Sequence, residues 1–396
     1  MNEQKRQIGG ALALFAAASM FMGLYGGFYS PSFNNYLAQV FHVGEVARGW
    51  MELPREMPGF LVVFLLALLA RVADTRIALV SAGVVALALF GQGFLAPNLG
   101  VAVVWMFLWS AGAHLYMVIA PAIGLRLARE GQEGTLLGKL GLLESLGTLP
   151  GMALLFLGTR YFHASFGLIF GAAAFFALAA ALLLFRIKPR PVDTTASRMV
   201  FKREYGLYYW LNILFGARKQ VFLTFAPWVL IKIFHADVSV FAILGLIGTG
   251  LSLGFRPLLG KAIDIIGERR IIAIESVLLV GICVLYGFAQ SWFPSRLAML
   301  VIMACYIIDQ LLMAATMARV TYIHRTVHVP GDLAPTLSMG MTLDHAVSML
   351  VPILGGLIWA KAGYPVLFLA AAGIALVNLV AALRISDREP VTMTSN

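Results

Sequence analysis

Long apolar runs constrain this chain more than any other feature. Twelve of them follow one another, at about 10–40, 46–70, 77–96, 100–125, 136–158, 163–185, 206–233, 238–259, 271–290, 295–322, 335–360 and 364–384. Each is long enough to cross the hydrocarbon of a bilayer as a helix, which takes about 20 residues. Only 12% of the residues are charged, against about 25% in soluble domains. The sequence therefore predicts an all-α integral membrane protein with twelve transmembrane helices, called spans 1 to 12.

Basic residues are distributed unevenly among the connections between the spans. With the N-terminus inside, 20 of the 29 Lys and Arg residues, Arg319 among them, fall in cytoplasmic segments. Five, including Arg48, fall on the opposite face, and four lie within spans. Such a bias sets membrane topology. We predict a multi-pass protein of the cytoplasmic (inner) membrane with both termini in the cytoplasm. Topology also accounts for the net charge of +10, so we expect no nucleic-acid partner.

The longest polar connection, at about 186–204, divides the chain into two sets of six spans. We predict an N-terminal bundle at 1–188, a cytoplasmic linker at 189–204, a C-terminal bundle at 205–386 and a disordered tail at 387–396. The halves echo each other, since Glu144 precedes Pro150 in span 5 and Asp344 precedes Pro352 in span 11. Two pseudo-symmetric bundles around a site at mid-depth are typical of secondary transporters.

Span 2 carries three charges in "GWMELPREMPGF". Glu52, Arg55 and Glu56 lie within about 100° of one another on a helix. Glu52 and Arg55 are three residues apart and can form an ion pair. Two interpretations stay open, a substrate-site element and a structural pair. We select Glu52 and Arg55 as candidate substrate-binding residues.

Polar stripes run along spans 1 and 7. Tyr25 and Tyr29 lie on one face of span 1, and tyrosine offers a flat apolar ring with a hydroxyl, which suits a solute pathway. A packed interface is the alternative. Tyr208, Asn212 and Lys219 lie within about 40° of one another on span 7. All five are candidate substrate-binding residues.

Arg218 lies next to Lys219 but is rotated by about 100° toward a neighbouring helix. A buried cation without a partner is far more costly than a paired one. Asp309 in span 10 and Asp344 in span 11 are the available acids. The sequence thus predicts different tasks for the two neighbours, with Lys219 facing the solute and Arg218 in a structural ion pair.

Ionisable residues within spans are candidates for proton coupling, because a carboxylate can exchange its proton for a salt bridge. His114 in span 4 is a further candidate, either as a proton relay and solute ligand or as a core histidine with satisfied hydrogen bonds. The candidates for proton coupling or ion pairing are Glu144, Arg218, Asp309, Asp344 and His345.

One loop carries a family resemblance. Between spans 8 and 9 the chain has Gly260, Asp264, Gly267, Arg269 and Arg270. This loop resembles the signature loop of the major facilitator superfamily, Gly-x3-Asp-(Arg/Lys)-x-Gly-(Arg/Lys)-(Arg/Lys). Ile265 stands where a basic residue is usual, and the first-half copy keeps Asp74 but has Ala70 for the glycine. The resemblance implies that this loop locks the cytoplasmic side, and that spans 1, 4, 7 and 10 line a central cavity, which places Lys219 in it. The candidate gating residues are Asp74, Gly260, Asp264, Gly267, Arg269 and Arg270.

The leading hypothesis is a secondary transporter, driven by protons, for a small solute. Lys219 and Arg55 favour an organic anion or a zwitterion. The runner-up is multidrug efflux by proton antiport, since "GTLPG" at 147–151 loosely echoes the antiporter signature of span 5. A membrane sensor or a membrane-embedded enzyme is a third class.

No motif for nucleotide binding or hydrolysis occurs in the sequence, so we expect no enzyme activity and no cofactor. His324 and His328 have a metal-like spacing but no evident third ligand, and no metal site is expected. The expected partners are a small solute, protons and the lipid bilayer, with the protein acting as a monomer.

Overall fold

The structure is a computed structural model that describes residues 2–69, 71–127, 133–189, 201–329 and 332–386. The described residues form helices and no β-strand. Short 3-10 turns precede α8 and separate α11 from α12. The α-helices are α1 Asn2–Val40, α2 Glu45–Trp50, α3 Glu52–Leu68, α4 Asp74–Phe94, α5 Leu99–Leu127, α6 Glu133–Tyr161, α7 Phe166–Phe185, α8 Gly206–Lys232, α9 Val238–Ile266, α10 Glu268–Trp292, α11 Ser295–Leu312, α12 Thr316–Thr326, α13 Leu333–Ala362 and α14 Tyr364–Leu383.

The predicted membrane fold is confirmed, and the helices are consistent with twelve spans. Helices α2 and α3 together make span 2, and α11 and α12 make span 10. Ten segments of the described chain are long and apolar enough to cross a membrane. Span 2 and α8, which carry Glu52, Arg55, Arg218 and Lys219, are not among the ten.

Span 2 is interrupted at Met51 for a reason that is visible in the sequence. Proline has no amide hydrogen, and its ring clashes with the carbonyl of the residue four positions earlier. For Pro54 that residue is Trp50, where α2 ends. The chain resumes as α3 one residue later. The interruption brings the short α2, with Arg48, against the start of α3.

Helices α1 and α6 approach closely through glycines. A Cβ atom on Gly147 would lie 2.0 Å from the carbonyl oxygen of Met20, and one on Gly23 would lie 2.0 Å from that of Glu144. Gly27 and Gly151, one turn further on, are also in close backbone contact with the opposite helix. Small residues at this spacing let membrane helices pack backbone to backbone. The "GTLPG" segment thus has a packing role in the N-terminal half.

Three connections at one end of the bundle are built alike. Each follows a Phe-His dipeptide at the end of α1, α6 or α8. His42, His163 and His235 have φ of 51°, 49° and 55°. The next amide donates to the carbonyl six residues earlier at 3.2, 3.0 and 2.9 Å, which is one residue further back than in a Schellman motif. The following helix is capped two residues after each histidine, at Gly44, Ser165 and Asp237.

The predicted linker and tail fall largely outside the described residues. Helix α7 ends at Phe185 and α8 begins at Gly206, while residues 190–200, 387–396 and Ala70 lie outside the described part. The predicted domain boundaries stay predictions. Lys202, just before α8, forms a salt bridge with Asp332. The hydrogen bond that Lys202 donates to the Asp332 carboxylate raises the pKa of Lys202. This contact ties the described end of the linker to the start of α13.

We expect the substitution Gly147→Ala to destabilise the protein by about 1–3 kcal/mol, because the added methyl group overlaps backbone that cannot move freely. The matched control is Gly141→Ala on the same helix, where a Cβ meets nothing within 4 Å. Melting temperatures of the purified proteins in detergent measure both effects. Equal melting temperatures for the two variants would contradict the proposed packing.

Candidate functional site

Glu52 is the centre of a buried network between the two halves. Its carboxylate accepts hydrogen bonds from Arg55 Nε at 2.6 Å and from Gln220 Nε2 at 2.5 Å. It also forms an ion pair with Arg48. The predicted Glu52–Arg55 ion pair is therefore present. Gln220 lies on α8, so this contact joins span 2 to span 7. No sequence spacing indicates Gln220, because the two residues are 168 positions apart.

Glu56 forms a second contact across the halves. One carboxylate oxygen lies 2.6 Å from Arg55 Nη2, and the other lies 2.9 Å from His345 Nδ1 on α13. The ring of His114 on α5 is 5.0 Å from that of His345. Ligand atoms of Glu56, His114 and His345 all lie within 4.8 Å of one another. The structure thus brings together two predicted candidates and one acid that was not selected.

Arg218 and Lys219 have different surroundings. Arg218 Nη2 lies 2.9 Å from Asp309 Oδ1 on α11, as an ion pair without hydrogen-bond alignment. Lys219 Nζ lies 2.6 Å from Asp344 Oδ2 on α13. The side chain of Arg218 is 3% exposed and that of Lys219 is 16% exposed. The prediction that Arg218 pairs with an acid of span 10 or 11 is confirmed, and Lys219 is the more accessible cation.

The predicted polar stripes separate in the structure. Tyr25 lines a cavity, whereas Tyr29 is buried in the N-terminal half, with its ring 4.3 Å from that of Trp109. Tyr208 is buried in the C-terminal half, and Asn212 Nδ2 donates to the Tyr208 carbonyl at 2.8 Å. Their roles in substrate binding stay predictions.

The cavity has a volume of about 560 Å³ and lies between α1, α5 and α6. Apolar side chains make up most of its lining. Its described lining includes one carboxylate, that of Glu144, and the positive charge of Arg256 on α9 acts on it. The polar side chains that line it are those of Ser19, Tyr25, Ser30, Tyr116, Glu144 and Thr148.

Two basic residues that the topology prediction counted with the connections lie inside helices. Arg319, predicted in a cytoplasmic segment, is buried in α12, and its Nη2 lies 2.9 Å from Glu275 Oε2. Arg48, predicted on the opposite face, is buried in α2 and pairs with Glu52. The side of the membrane to which each residue lies closer stays a prediction. Glu275, within predicted span 9, was the available signal for a buried cation nearby.

The signature loop makes a tight turn between α9 and α10. Gly267 has φ 84° and ψ 161° and is the only residue between the two helices. This backbone conformation is essentially restricted to glycine. Asp264 lies in the last turn of α9, and Arg269 and Arg270 lie in the first turn of α10. Gly260 lies on α9, two turns before the loop.

The counterpart of Asp74 in the second half is Glu268 by position and partner. Asp74 lies in the first turn of α4 and pairs with Arg126, at the end of α5, at 3.1 Å. Glu268 lies in the first turn of α10 and pairs with Arg325, at the end of α12, at 3.7 Å. Asp264, which the sequence aligns with Asp74, lies on the preceding helix instead. Gating by these residues stays a prediction.

The chain is similar to a known protein family in sequence and to solved transporters in structure. Residues 208–396 match the family model of the Major Facilitator Superfamily, so the predicted resemblance is confirmed. A mutant of the nucleoside transporter NupG is similar in structure, with a TM-score of 0.80 at 12% identity over 95% of this chain and 100% of that one. No curated protein matches the chain.

Two further solved structures share the fold. A D-xylose-proton symporter has a TM-score of 0.71 at 14% identity over 96% of this chain and 98% of that one. The human organic anion transporter MFSD10 (TETRAN) has a TM-score of 0.63 at 12% identity over 95% and 99%. At such identities the likeness concerns the fold alone.

Loss of Asp309 and loss of Asp344, the two acids paired with the span 7 cations, are expected to destabilise the protein by different amounts. Asp309→Asn leaves Arg218 charged and buried, which costs about 3–5 kcal/mol. Asp344→Asn leaves unpaired a cation that is already partly exposed, so its cost is smaller. Melting temperatures in detergent compare the two. The double variant Arg218→Met with Asp309→Leu removes both charges and should recover most of the loss. A larger loss for Asp344→Asn than for Asp309→Asn would contradict the assignment.

Proposed function

We propose that this chain, a member of the Major Facilitator Superfamily, is a secondary active transporter that moves a small solute across the cytoplasmic membrane by alternating access. The family and fold are those of transporters and not of enzymes. The observation that carries the proposal is the Lys219–Asp344 pair, partly accessible and held at 2.6 Å in a membrane helix bundle. We expect the protein to act as a monomer with both termini in the cytoplasm.

Contacts between the halves support a conformation that is closed at one end. Asn35 Nδ2 donates to the Ala236 carbonyl at 2.9 Å, close to the turns that follow α1 and α8. A Cβ on Gly49 would lie 2.2 Å from the Pro352 carbonyl oxygen, so α2 and α13 touch there. The cavity lining instead runs toward the opposite end, which holds the termini. With cytoplasmic termini, this is an inward-facing state.

Proton coupling is assigned to Asp344. When this carboxylate is ionised, it neutralises Lys219 at 2.6 Å. Protonation of Asp344 removes the charge that holds Lys219, and the ammonium group then binds an anionic group of the solute. Release of the solute favours loss of the proton, because Lys219 again needs a counter-charge. One residue pair thus links the binding of solute to the binding of a proton.

The solute class follows from the same exchange. A group that replaces the Asp344 carboxylate beside Lys219 must be an anion of similar size, such as a carboxylate. The cavity between α1, α5 and α6 is lined by Glu144 but not by Lys219 or Asp344, so the proposal concerns only the anionic group of the solute. An organic acid and the carboxylate of an amino acid both supply such a group.

Uptake of labelled amino acids and organic acids into proteoliposomes with an imposed pH gradient tests the proposal. We expect at least one compound to accumulate, and Lys219→Ala to lower its initial rate tenfold or more. Asp344→Asn should retain solute exchange but lose the response to the pH gradient. The control is Lys361→Ala, an exposed lysine at the end of α13. Unchanged transport in both site variants would overturn the assignment of the site.

A second candidate function is efflux of lipophilic cations by proton antiport. It is favoured by a cavity that is lined mostly by apolar side chains and carries Glu144 as the carboxylate of its described lining. An apolar lining binds the hydrophobic part of a lipophilic cation, and a carboxylate attracts its positive charge. In this case Glu144, rather than Asp344, exchanges the proton for the transported molecule.

Drug susceptibility in a host whose own pumps are deleted separates the two candidates. Efflux predicts raised resistance to several unrelated lipophilic cations, and loss of that resistance in Glu144→Gln, which removes the charge at constant size. The matched control is Glu204→Gln, an exposed acid before α8. If the wild-type protein raises resistance to none of the compounds, this would contradict efflux and favour transport of a specific metabolite.

A further inference from the structure

Three metal-ligating side chains from three different helices meet between the two halves of the protein. Glu56 lies on α3, His114 on α5 and His345 on α13, and one ligand atom of each lies within 4.8 Å of the other two. Glu56 and His345 are buried and His114 is half-buried. Gly59 makes room for the rings, because a Cβ there would lie 2.7 Å from both histidines.

The hydrogen bonds of His114 leave one ring nitrogen ready to bind a metal. The Ser110 hydroxyl donates its hydrogen to the Arg55 carbonyl, so both oxygens of Ser110 act as acceptors. His114 Nδ1 lies 2.9 Å from each of these oxygens and therefore carries the proton. Nε2 keeps its lone pair and lies on the side of Gly59. A second hydrogen bond of this kind orients most metal-binding histidines.

Glu56 is held in a comparable way. Arg55 binds one carboxylate oxygen at 2.6 Å, and the other oxygen faces His345 Nδ1 at 2.9 Å. The charges of Arg48, Glu52, Arg55 and Glu56 add to zero, so they give the cluster no net positive charge. A divalent cation would take the place of the proton shared between Glu56 and His345. Two imidazoles and one carboxylate are a ligand set that zinc accepts, with a water in the fourth position.

We propose that Glu56, His114 and His345 form a binding site for Zn²⁺ or a similar transition-metal dication. Helices α3 and α5 belong to the N-terminal half and α13 to the C-terminal half, so the bound metal links the halves. It therefore stabilises the conformation described here against the one in which the halves have moved apart. Inhibition of transport by Zn²⁺ follows from this, and that consequence alone rests on the proposed function.

Zinc binding to the purified full-length protein in detergent tests the site without any transport assay. Titration calorimetry with ZnCl₂ should show one equivalent bound, and Zn²⁺ should raise the melting temperature of the wild type. His114→Ala and His345→Ala should each lose both effects. Replacing Zn²⁺ by Co²⁺ should give visible absorption typical of four-coordinate cobalt. Absence of binding in the wild type, or full binding in His345→Ala, would overturn the proposal.

Matched controls keep the test independent of folding. The double variant His324→Ala with His328→Ala removes the exposed histidine pair near the end of α12 and should bind Zn²⁺ like the wild type. Loss of binding there would assign the metal to that pair instead. Glu56→Gln keeps a hydrogen-bonding oxygen but removes the charge, and should weaken binding tenfold or more while the protein elutes as a folded species. Unchanged affinity in this variant also contradicts the site.

Transport in proteoliposomes then tests the consequence. Zn²⁺ should lower the initial rate of uptake in the wild type and to the same degree in the His324→Ala, His328→Ala variant. Zinc binding without any detectable uptake of solute would count against the proposed function and leave the metal site standing. Uptake of solute by a protein that binds no Zn²⁺ would contradict the metal site and leave the proposed function standing.

Discussion

The cost of charge in an apolar environment governs this structure. In its described part, six acids and cations of the C-terminal half form three pairs that each join two helices: Arg218–Asp309, Lys219–Asp344 and Glu275–Arg319. The N-terminal half compensates two acids with two arginines on span 2. Removing one partner leaves a buried charge, at about 3–5 kcal/mol. The partners therefore fix which helices are neighbours and in which rotation.

These pairs differ in what they permit. Arg218–Asp309 and Glu275–Arg319 are almost fully excluded from water and hold α8 to α11 and α10 to α12. They stabilise the C-terminal bundle as a unit. Lys219–Asp344 joins α8 to α13 but is partly exposed on both side chains. A partly exposed pair can exchange a partner for a proton or a solute at lower cost, which is why adjacent residues 218 and 219 have separate roles.

Helix periodicity was enough to predict some of this arrangement. The separation of Arg218 from Lys219 and the Glu52–Arg55 pair follow from 100° per residue and the need for a counter-charge. The twelve apolar runs likewise indicate the fold class. The burial of Arg319 against Glu275 was not predicted, because hydropathy does not show which helix faces a charged side chain. An acid within span 9, Glu275, shows that a partner exists but not which one.

Contacts between distant helices could not be predicted from the sequence, because no residue spacing indicates them. Gln220 meets Glu52 because α13 packs against both α8 and span 2, and the three ligands of the candidate metal site are brought together by three helices. The Phe-His turns are a different case. They recur in the printed sequence, but histidine is an uncommon residue at the left-handed position that usually holds glycine, so their shared geometry becomes clear only from φ.

The way span 2 neutralises its own acids bears directly on how the halves can move. If the halves separate along α3, Glu52 loses Gln220 but keeps Arg48 and Arg55, and Glu56 loses His345 but keeps Arg55. Lys219 and Asp344 belong to the same half and stay together. Separation of the halves therefore leaves a counter-charge beside each of these four residues, and the contacts that they lose are hydrogen bonds, each worth about 0.5–1.5 kcal/mol, or up to about 3 where one partner is charged. Burial of the ion pairs within each half, rather than between them, is what lets a charged bundle remain stable and still rearrange.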